Sequence, residues 1–416
     1  MKNIKLVLLF IVLVKTSIAE AQIIIDSGDL LNEISNYISN IPGNTGNDYT
    51  NPSTSELITW NNTITDLLNN NYNSSVINAN LLGYDLIEFT DTTATPNNLY
   101  YILKPNSTNY WGLYVFNPNY CRPLVIQAPH PKKDFNTGNQ GAFVFKETRA
   151  LLLCIAGTNR CNHSNFSSCD GSTSICSGSS ENYRISDLAH NSSSIFQETT
   201  SVILNNINNS HFIQLHGFSK LSTDPYVILS NGTLDTPSLD YLEIFKNELY
   251  NEDNTLTFKT AHIDLSWTRL RGFTNTQGRL INGSSNSCNM PITTTNGRFF
   301  HIEQEKTKLR DNITGWEKVS NALTNTFNCQ TLAINENKTE QLKIYPNPAF
   351  DHLFISTENV LLEDVKIYNL LGQNLINNIR ITKLNEFKIS INLSELPKGL
   401  YFVKSLNTIA NKVYKK

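Results

Sequence analysis

The chain has 416 residues, enough for two or three domains. Lys and Arg number 33 against 36 Asp and Glu, a formal charge of −3, which removes the clustered basic charge that nucleic-acid binding requires. Charged residues are 17% and hydrophobic ones 39%, so a core forms under a surface of neutral Asn, Ser and Thr, and nothing suggests collagen, a coiled coil or a multi-pass membrane protein.

The chain opens on Met1-Lys2-Asn3-Ile4-Lys5, an apolar run from Leu6 to Val14, and Ala19-Glu20-Ala21. That order reads as a secretory signal, with cleavage expected after Ala21 and no membrane-spanning segment in the mature chain. Ser53 to Leu68 carries Leu57, Trp60, Ile64 and Leu67 at helical spacing. Leu99 to Leu103 and Trp111 to Phe116 read as strands. From Pro123 the pattern becomes strand, loop, helix, repeated. The expected strands are Leu124–Gln127, Ala150–Ile155, Phe212–Leu215, Tyr226–Leu229, Leu256–Ile263 and Phe299–Ile302. The expected helices are Gln140–Arg149, Ser186–Asn205 with Ser186 as cap, Leu239–Leu249 and Lys306–Leu323. Short apolar strands alternating with helices predict an α/β fold, a mostly parallel sheet covered by helices. Beyond Leu342 the pattern changes to period-two strands, Leu353–Ser356, Val365–Asn369, Phe387–Ile391 and Leu400–Val403, which predict a small C-terminal β-sandwich. The expected organisation is a signal over 1–21, an α/β domain over 22–335 and a sandwich over 336–416.

Export permits disulfides, and seven cysteines leave at least one unpaired within the chain. Cys154 lies in the apolar run Leu151 to Ala156 and is the expected buried thiol. The other six can form three bridges of undetermined pairing. No CxxC pair supports a zinc knuckle.

The polar residues fall on this frame at particular places. His130, His216 and Glu303 each fall immediately after a buried strand, and ligands in open α/β sheets gather beyond the carboxyl ends of strands. Asp134 follows His130 by four residues. His130, Asp134 and His216 can form a three-ligand zinc shell with a position left for water. Glu303 is then the general base. Asp187 and His190, three apart, are the competing ligands. Arg160, after a strand end, and Arg279, in a polar loop, are the candidates for binding a substrate carboxylate, because a guanidinium fork pairs two oxygens. His163, His211, His262, His301 and His352 are assigned structural roles.

Two resemblances add to this reading. His130 with Asp134, then His216, then Ile302-Glu303 resembles the zinc-carboxypeptidase-like amidohydrolases, including the N-formylglutamate and poly-γ-glutamate hydrolases. The resemblance implies zinc and cleavage of an amide or peptide bond in a small peptide-like or carboxylate-bearing substrate. The chain departs from the usual His-x-x-Glu pairing, having His-x-x-x-Asp. In the tail, Tyr345-Pro346-Asn347-Pro348, Ile367-Tyr368-Asn369, Leu371-Gly372-Gln373, Leu396-Pro397-Lys398-Gly399-Leu400-Tyr401 and the final Lys415-Lys416 resemble the C-terminal sorting domain of the type IX secretion system. That resemblance implies the type IX machinery as partner and a secreted or outer-surface location. The alternatives to an amidohydrolase are a non-catalytic surface binding protein on the same fold, or a metal-dependent esterase or deacetylase.

Overall fold

A computed structural model describes residues 21–329, 342–356, 365–375, 379–385, 387–404 and 411–416. Of the expected signal, residues 1–20 lie outside the described residues, as does the expected boundary at 335/336. Contacts divide the chain into two compact units, Met1–Cys329 and Gln330–Lys416.

The first unit begins with β1 (Ile24–Gly28), α1 (Leu30–Asn40), α2 (Thr54–Leu68), α3 (Tyr72–Leu81), β2 (Tyr84–Asp91), β3 (Asn98–Pro105) and β4 (Leu113–Phe116). It continues with β5 (Arg122–Ala128), α4 (Thr137–Glu147), β6 (Ala150–Ile155), a short hairpin of β7 (Ser172–Thr173) and β8 (Glu181–Asn182), α5 (Ile195–Asn206) and β9 (His211–Gly217). It closes with β10 (Val227–Ser230), α6 (Tyr241–Glu252), β11 (Phe258–Thr260), α7 (Thr276–Ile281), β12 (Phe299–Gln304) and α8 (Ile313–Thr326). Ten strands form one sheet in the order β1-β2-β3-β4-β6-β5-β9-β12-β10-β11. Its centre, β6-β5-β9-β12, is wholly parallel. Helices cover both faces. Leu30 and Ile34 of α1, Phe145 of α4, Phe245 of α6 and Leu323 of α8 join one core cluster. Trp60 of α2, Val76 of α3, Phe196 of α5 and Ile281 of α7 join the other. This is the α/β architecture that the alternation of elements predicts, because central strands buried on both sides must read as apolar runs.

Local chemistry sets several boundaries away from their expected places. The Ser186 hydroxyl donates to the Arg160 carbonyl instead of capping a helix, and a single tight turn follows over Leu188–His190. α5 starts only at Ser194, whose hydroxyl accepts the Gln197 amide. The expected helix from Lys306 is a wide turn over Lys306–Arg310, and α8 begins after Asn312, whose side chain accepts the Gly315 amide. Only Phe258–Thr260 of the expected Leu256–Ile263 strand is paired. Arg149 lies outside α4 with φ of 48°.

Three disulfides join Cys121 to Cys329, Cys161 to Cys176 and Cys169 to Cys288, and Cys154 is a free buried thiol, as expected. The second unit has two antiparallel sheets. β13 (Lys343–Tyr345), β14 (His352–Ser356), β16 (Arg380–Asn385) and β17 (Lys388–Asn392) make one, in the order β13-β14-β17-β16. β15 (Lys366–Tyr368), β18 (Gly399–Lys404) and β19 (Asn411–Lys415) make the other. Leu353, Ile355, Ile367, Ile391 and Val403 fill a core common to both.

Candidate metal centre and cavity

The centre of the sheet is graded along its strands. On the face carrying α5 and α7, strand register places Val125, Phe212 and Phe299 in one row. Gln127, Gln214 and His301 form the next row, and His216 and Glu303 the last. Side chains two apart on a strand share a face, so each strand runs from apolar through amide to ionisable toward its carboxyl end. His130 sits just past the end of β5. His216 and Glu303 lie within their strands rather than after them, side by side in register.

The row of amides fixes the histidine beneath which it lies. Gln214 donates its Nε2 hydrogens to Gln127 Oε1 and Gln277 Oε1, both at 3.1 Å. Its Oε1 is therefore the acceptor that faces His216 Nε2, at 2.8 Å. Nε2 of His216 carries the proton, and Nδ1 turns to Asp134 Oδ2 at 3.4 Å. His130 is arranged the same way. Its Nε2 lies 2.8 Å from Asp187 Oδ1, and its Nδ1 lies 3.1 Å from the same Asp134 Oδ2. Two imidazole Nδ1 atoms and one carboxylate oxygen thus converge. Donors of a tetrahedral shell with bonds of about 2.0–2.1 Å stand about 3.3 Å apart, close to these separations. Among the described residues, His130, Asp134 and His216 form one of three groups whose ligand atoms come within 4.8 Å of one another. The second is His130, Asp187 and His190, and the third His216, His301 and Glu303.

Asp187 is already committed. Its Oδ2 accepts from Arg160 Nε and Nη2, at 2.9 and 2.5 Å, and its Oδ1 faces His130 and His190 Nδ1. His190 is stacked on Tyr183 with ring centres 3.5 Å apart. Burial opposes charge throughout the cluster. It lowers the His216 pKa to about 4 against the opposing Asp134 bond. On His130, burial and Arg160 oppose protonation, but Asp187 and Asp134 outweigh them and the pKa rises. Asp134 is lowered, its burial outweighed by His130 and His216. Glu303 is raised to about 8, first by burial and then by the Asp134 carboxylate, and its Oε2 is buried with no hydrogen-bond partner among the described residues.

A cavity of about 780 Å³ opens on this cluster and is lined by His130, Asp134, Arg160, His190, His216, His301 and Glu303 among others. The expected ligands and base are therefore brought together. Arg160 reaches the cavity, but two of its nitrogens are given to Asp187, and it braces the cluster. Arg279 is not brought there: it is 2% exposed and pairs with Asp170 and with the Phe273 and Cys288 carbonyls. His301, assigned a structural role from its apolar strand, lines the cavity with its ring 4.4 Å from that of His216. Its place two residues before Glu303 was the signal. Asp187, expected as a competing ligand, is instead the outer partner of His130, and Gln214, the outer partner of His216, carried no comparable signal, since its role depends on contacts across the sheet.

Fold and tail together define an exported two-unit protein, an α/β domain joined to a secretion module. Residues 343–416 match the secretion system C-terminal sorting domain, and this unit is the sorting domain of a type IX substrate, which places the protein at the outer surface or outside the cell. No helix among the described residues is long and apolar enough to cross a membrane. The chain is 35% identical over 85 residues to ulvan lyase NLR42 of Nonlabens ulvanivorans, a match covering 20% of this chain and only 15% of that enzyme. Among solved structures, N-formylglutamate amidohydrolase from Ralstonia eutropha JMP134 aligns with a TM-score of 0.31 and 10% identity, over 52% of this chain and 95% of that one. A score that low carries no weight for the reaction.

Proposed function

We propose that the protein is a secreted zinc-dependent hydrolase of an amide or peptide bond, acting on a small peptide-like substrate. The observation that carries this reading is the pair of histidines whose outer nitrogens are held by acceptors, so that both Nδ1 atoms face one carboxylate oxygen. Two neutral imidazoles and a carboxylate suit zinc, and Asp187 and Gln214 supply the outer hydrogen bonds that orient such ligands. Asp134 is preferred to Asp187 as the third ligand because Arg160 and two histidines already occupy the Asp187 oxygens. Zinc in this shell supplies Lewis acidity, acidifying water and polarising the substrate carbonyl.

Glu303 does the proton work. It stands beside His216 on the neighbouring strand, with one oxygen that no group among the described residues satisfies. It takes the proton of the attacking water and returns it to the leaving nitrogen. Its raised pKa means that the carboxylate is costly to ionise without a nearby cation.

Metal content of the purified full chain, with turnover of a panel of acyl-amino acids and peptides, tests the reading. Wild type is expected to hold close to one zinc. His130→Ala and His216→Ala lose it. Glu303→Gln keeps it and loses about a thousandfold in kcat, within the range of general-base contributions. Full turnover by Glu303→Gln would remove Glu303 as the base. A chain that holds no zinc after reconstitution returns the protein to a binding role.

A further inference from the structure

The segment from Cys161 to Arg184 has little regular structure. Its strand pairing is limited to β7 and β8, two residues each, and one isolated bridge between Phe166 and Arg184. Yet Ser172, Thr173, Ile175 and Tyr183 of this segment line the cavity over the metal cluster. Scattered side-chain contacts must each beat the entropy of ordering the residues that make them. Two disulfides, Cys161–Cys176 and Cys169–Cys288, remove much of that entropy in advance.

Three routes lead from this fastened segment to the outer partners of the two histidines. The first is covalent. Cys161 follows Arg160, whose guanidinium holds Asp187, and Asp187 faces His130 Nε2. The second is a stack. Tyr183 lies on the His190 ring, its hydroxyl 2.9 Å from Thr274 Oγ1, and His190 Nδ1 lies 3.1 Å from Asp187 Oδ1. The third crosses to α7. Beside the Cys169–Cys288 bridge, the Asp170 carboxylate accepts from two Arg279 nitrogens, and the Asp170 amide and Arg279 Nη1 both donate to the Cys288 carbonyl. Arg279 lies on α7, and Asn275 and Gln277, at the start of that helix, bond to Gln214, which faces His216 Nε2.

We propose that this segment is a redox-set clamp on the metal centre. With both bridges closed it fixes Asp187 and Gln214, and through them His130 and His216; with the bridges open the chain holds zinc weakly. The metal rests on the reading above, and the clamp rests on the three routes. Each bridge forms as two thiols give two electrons and two protons to a small disulfide, which leaves as two thiols. Cys161–Cys176 is the bridge placed for exchange. It lines a smaller cavity of about 260 Å³ beside Lys133 and Arg184, and cationic neighbours favour the thiolate that carries exchange.

Zinc affinity of the full chain is measured by chelator competition in three states: oxidised, reduced with a phosphine and capped with iodoacetamide, and reduced then reoxidised with glutathione disulfide. The capped chain is expected to bind zinc roughly 10–100-fold more weakly, the range for losing an outer partner, and the reoxidised chain to recover. Paired Cys→Ser substitution of Cys161 with Cys176, or of Cys169 with Cys288, should weaken zinc about tenfold. The same change at Cys121 and Cys329 should leave affinity unchanged, because that bridge lies at the far end of β5, roughly 20 Å from His130. Circular dichroism confirms that each variant is folded. Should a segment variant not fold, Asp170→Asn decides: it loosens Arg279 with every bridge intact and should weaken zinc about threefold. Equal zinc affinity in the folded segment variants, or in Asp170→Asn where they do not fold, overturns the clamp alone. An equal loss at Cys121 and Cys329 also overturns it, since general destabilisation would then account for the effect. Bridge-dependent zinc binding without turnover of the acyl-amino acid and peptide panel sinks the hydrolase reading alone. An oxidised wild type that takes up no zinc sinks both.

Discussion

At the level of single residues, the cluster turns on which nitrogen of each histidine is already taken. Asp187 and Gln214 answer that question without touching the metal position, so their loss should weaken zinc without deleting a ligand. Asp187→Asn is expected to lower zinc affinity by roughly 10–100-fold, measured by competition with a chromogenic chelator. An unchanged affinity would mean that His130 is oriented by something else. A second residue-level prediction concerns His211, at the start of β9. Burial lowers its pKa to about 4, against 6.5 when free. The unfolded chain takes up this proton first. The associated stability is therefore full above pH 6.5 and falls as the pH drops from 6.5 toward 4. His211→Gln should remove that part of the acid slope, about 3 kcal/mol across the whole window, in urea unfolding at a series of pH values. A slope identical to wild type would show that His211 is solvated in the folded chain.

At the level of elements, what the sequence announces is whatever a short window can hold. The Ala150–Ile155 strand is found with its expected ends, and Ser53 closes a full capping box on α2 with Glu56. Ser53→Ala should cost about 1 kcal/mol in chemical denaturation, since it removes that reciprocal pair. The misplaced starts of α5 and α8 come from competition between candidate caps. Ser186 and Ser194 look alike in sequence, and only the Arg160 carbonyl, brought in from another loop, takes Ser186 out of the contest. The site follows the same rule. His130, His216 and Glu303 were legible because each closes an apolar run. Gln214 was not, because its importance lies in partners 87 and 63 residues away, and Asp187, legible only as a competing ligand, takes its outer role from His130, 57 residues away. Arg279 shows the converse: a polar loop advertised it, but Asp170, 109 residues distant, holds it. The Cys121–Cys329 bridge spans 208 residues and ties the entry of β5 to the chain beyond α8. Replacing both cysteines by Ser should cost about 2–4 kcal/mol, read as an earlier unfolding midpoint in denaturant.

At the level of the whole molecule, address and proposed chemistry are carried by different units. Deleting residues 343–416 should leave the protein inside the outer membrane, where cell fractionation would find it; its appearance in the medium would mean that the tail is dispensable for export. The α/β unit has a property of its own. His216 faces Glu303, and Gln214 faces His301, only in the observed alignment of β9 with β12. Sliding one strand by a single residue would present Phe300 and Ile302 to the cavity and turn His301 and Glu303 into the apolar layer on the other side. Misaligned chains would then be both inactive and poorly soluble, with no partly working form between. The proposed zinc ligand and base thus act as an internal checksum on strand pairing, and, on that proposal, zinc content per molecule would count the correctly assembled fraction of any preparation.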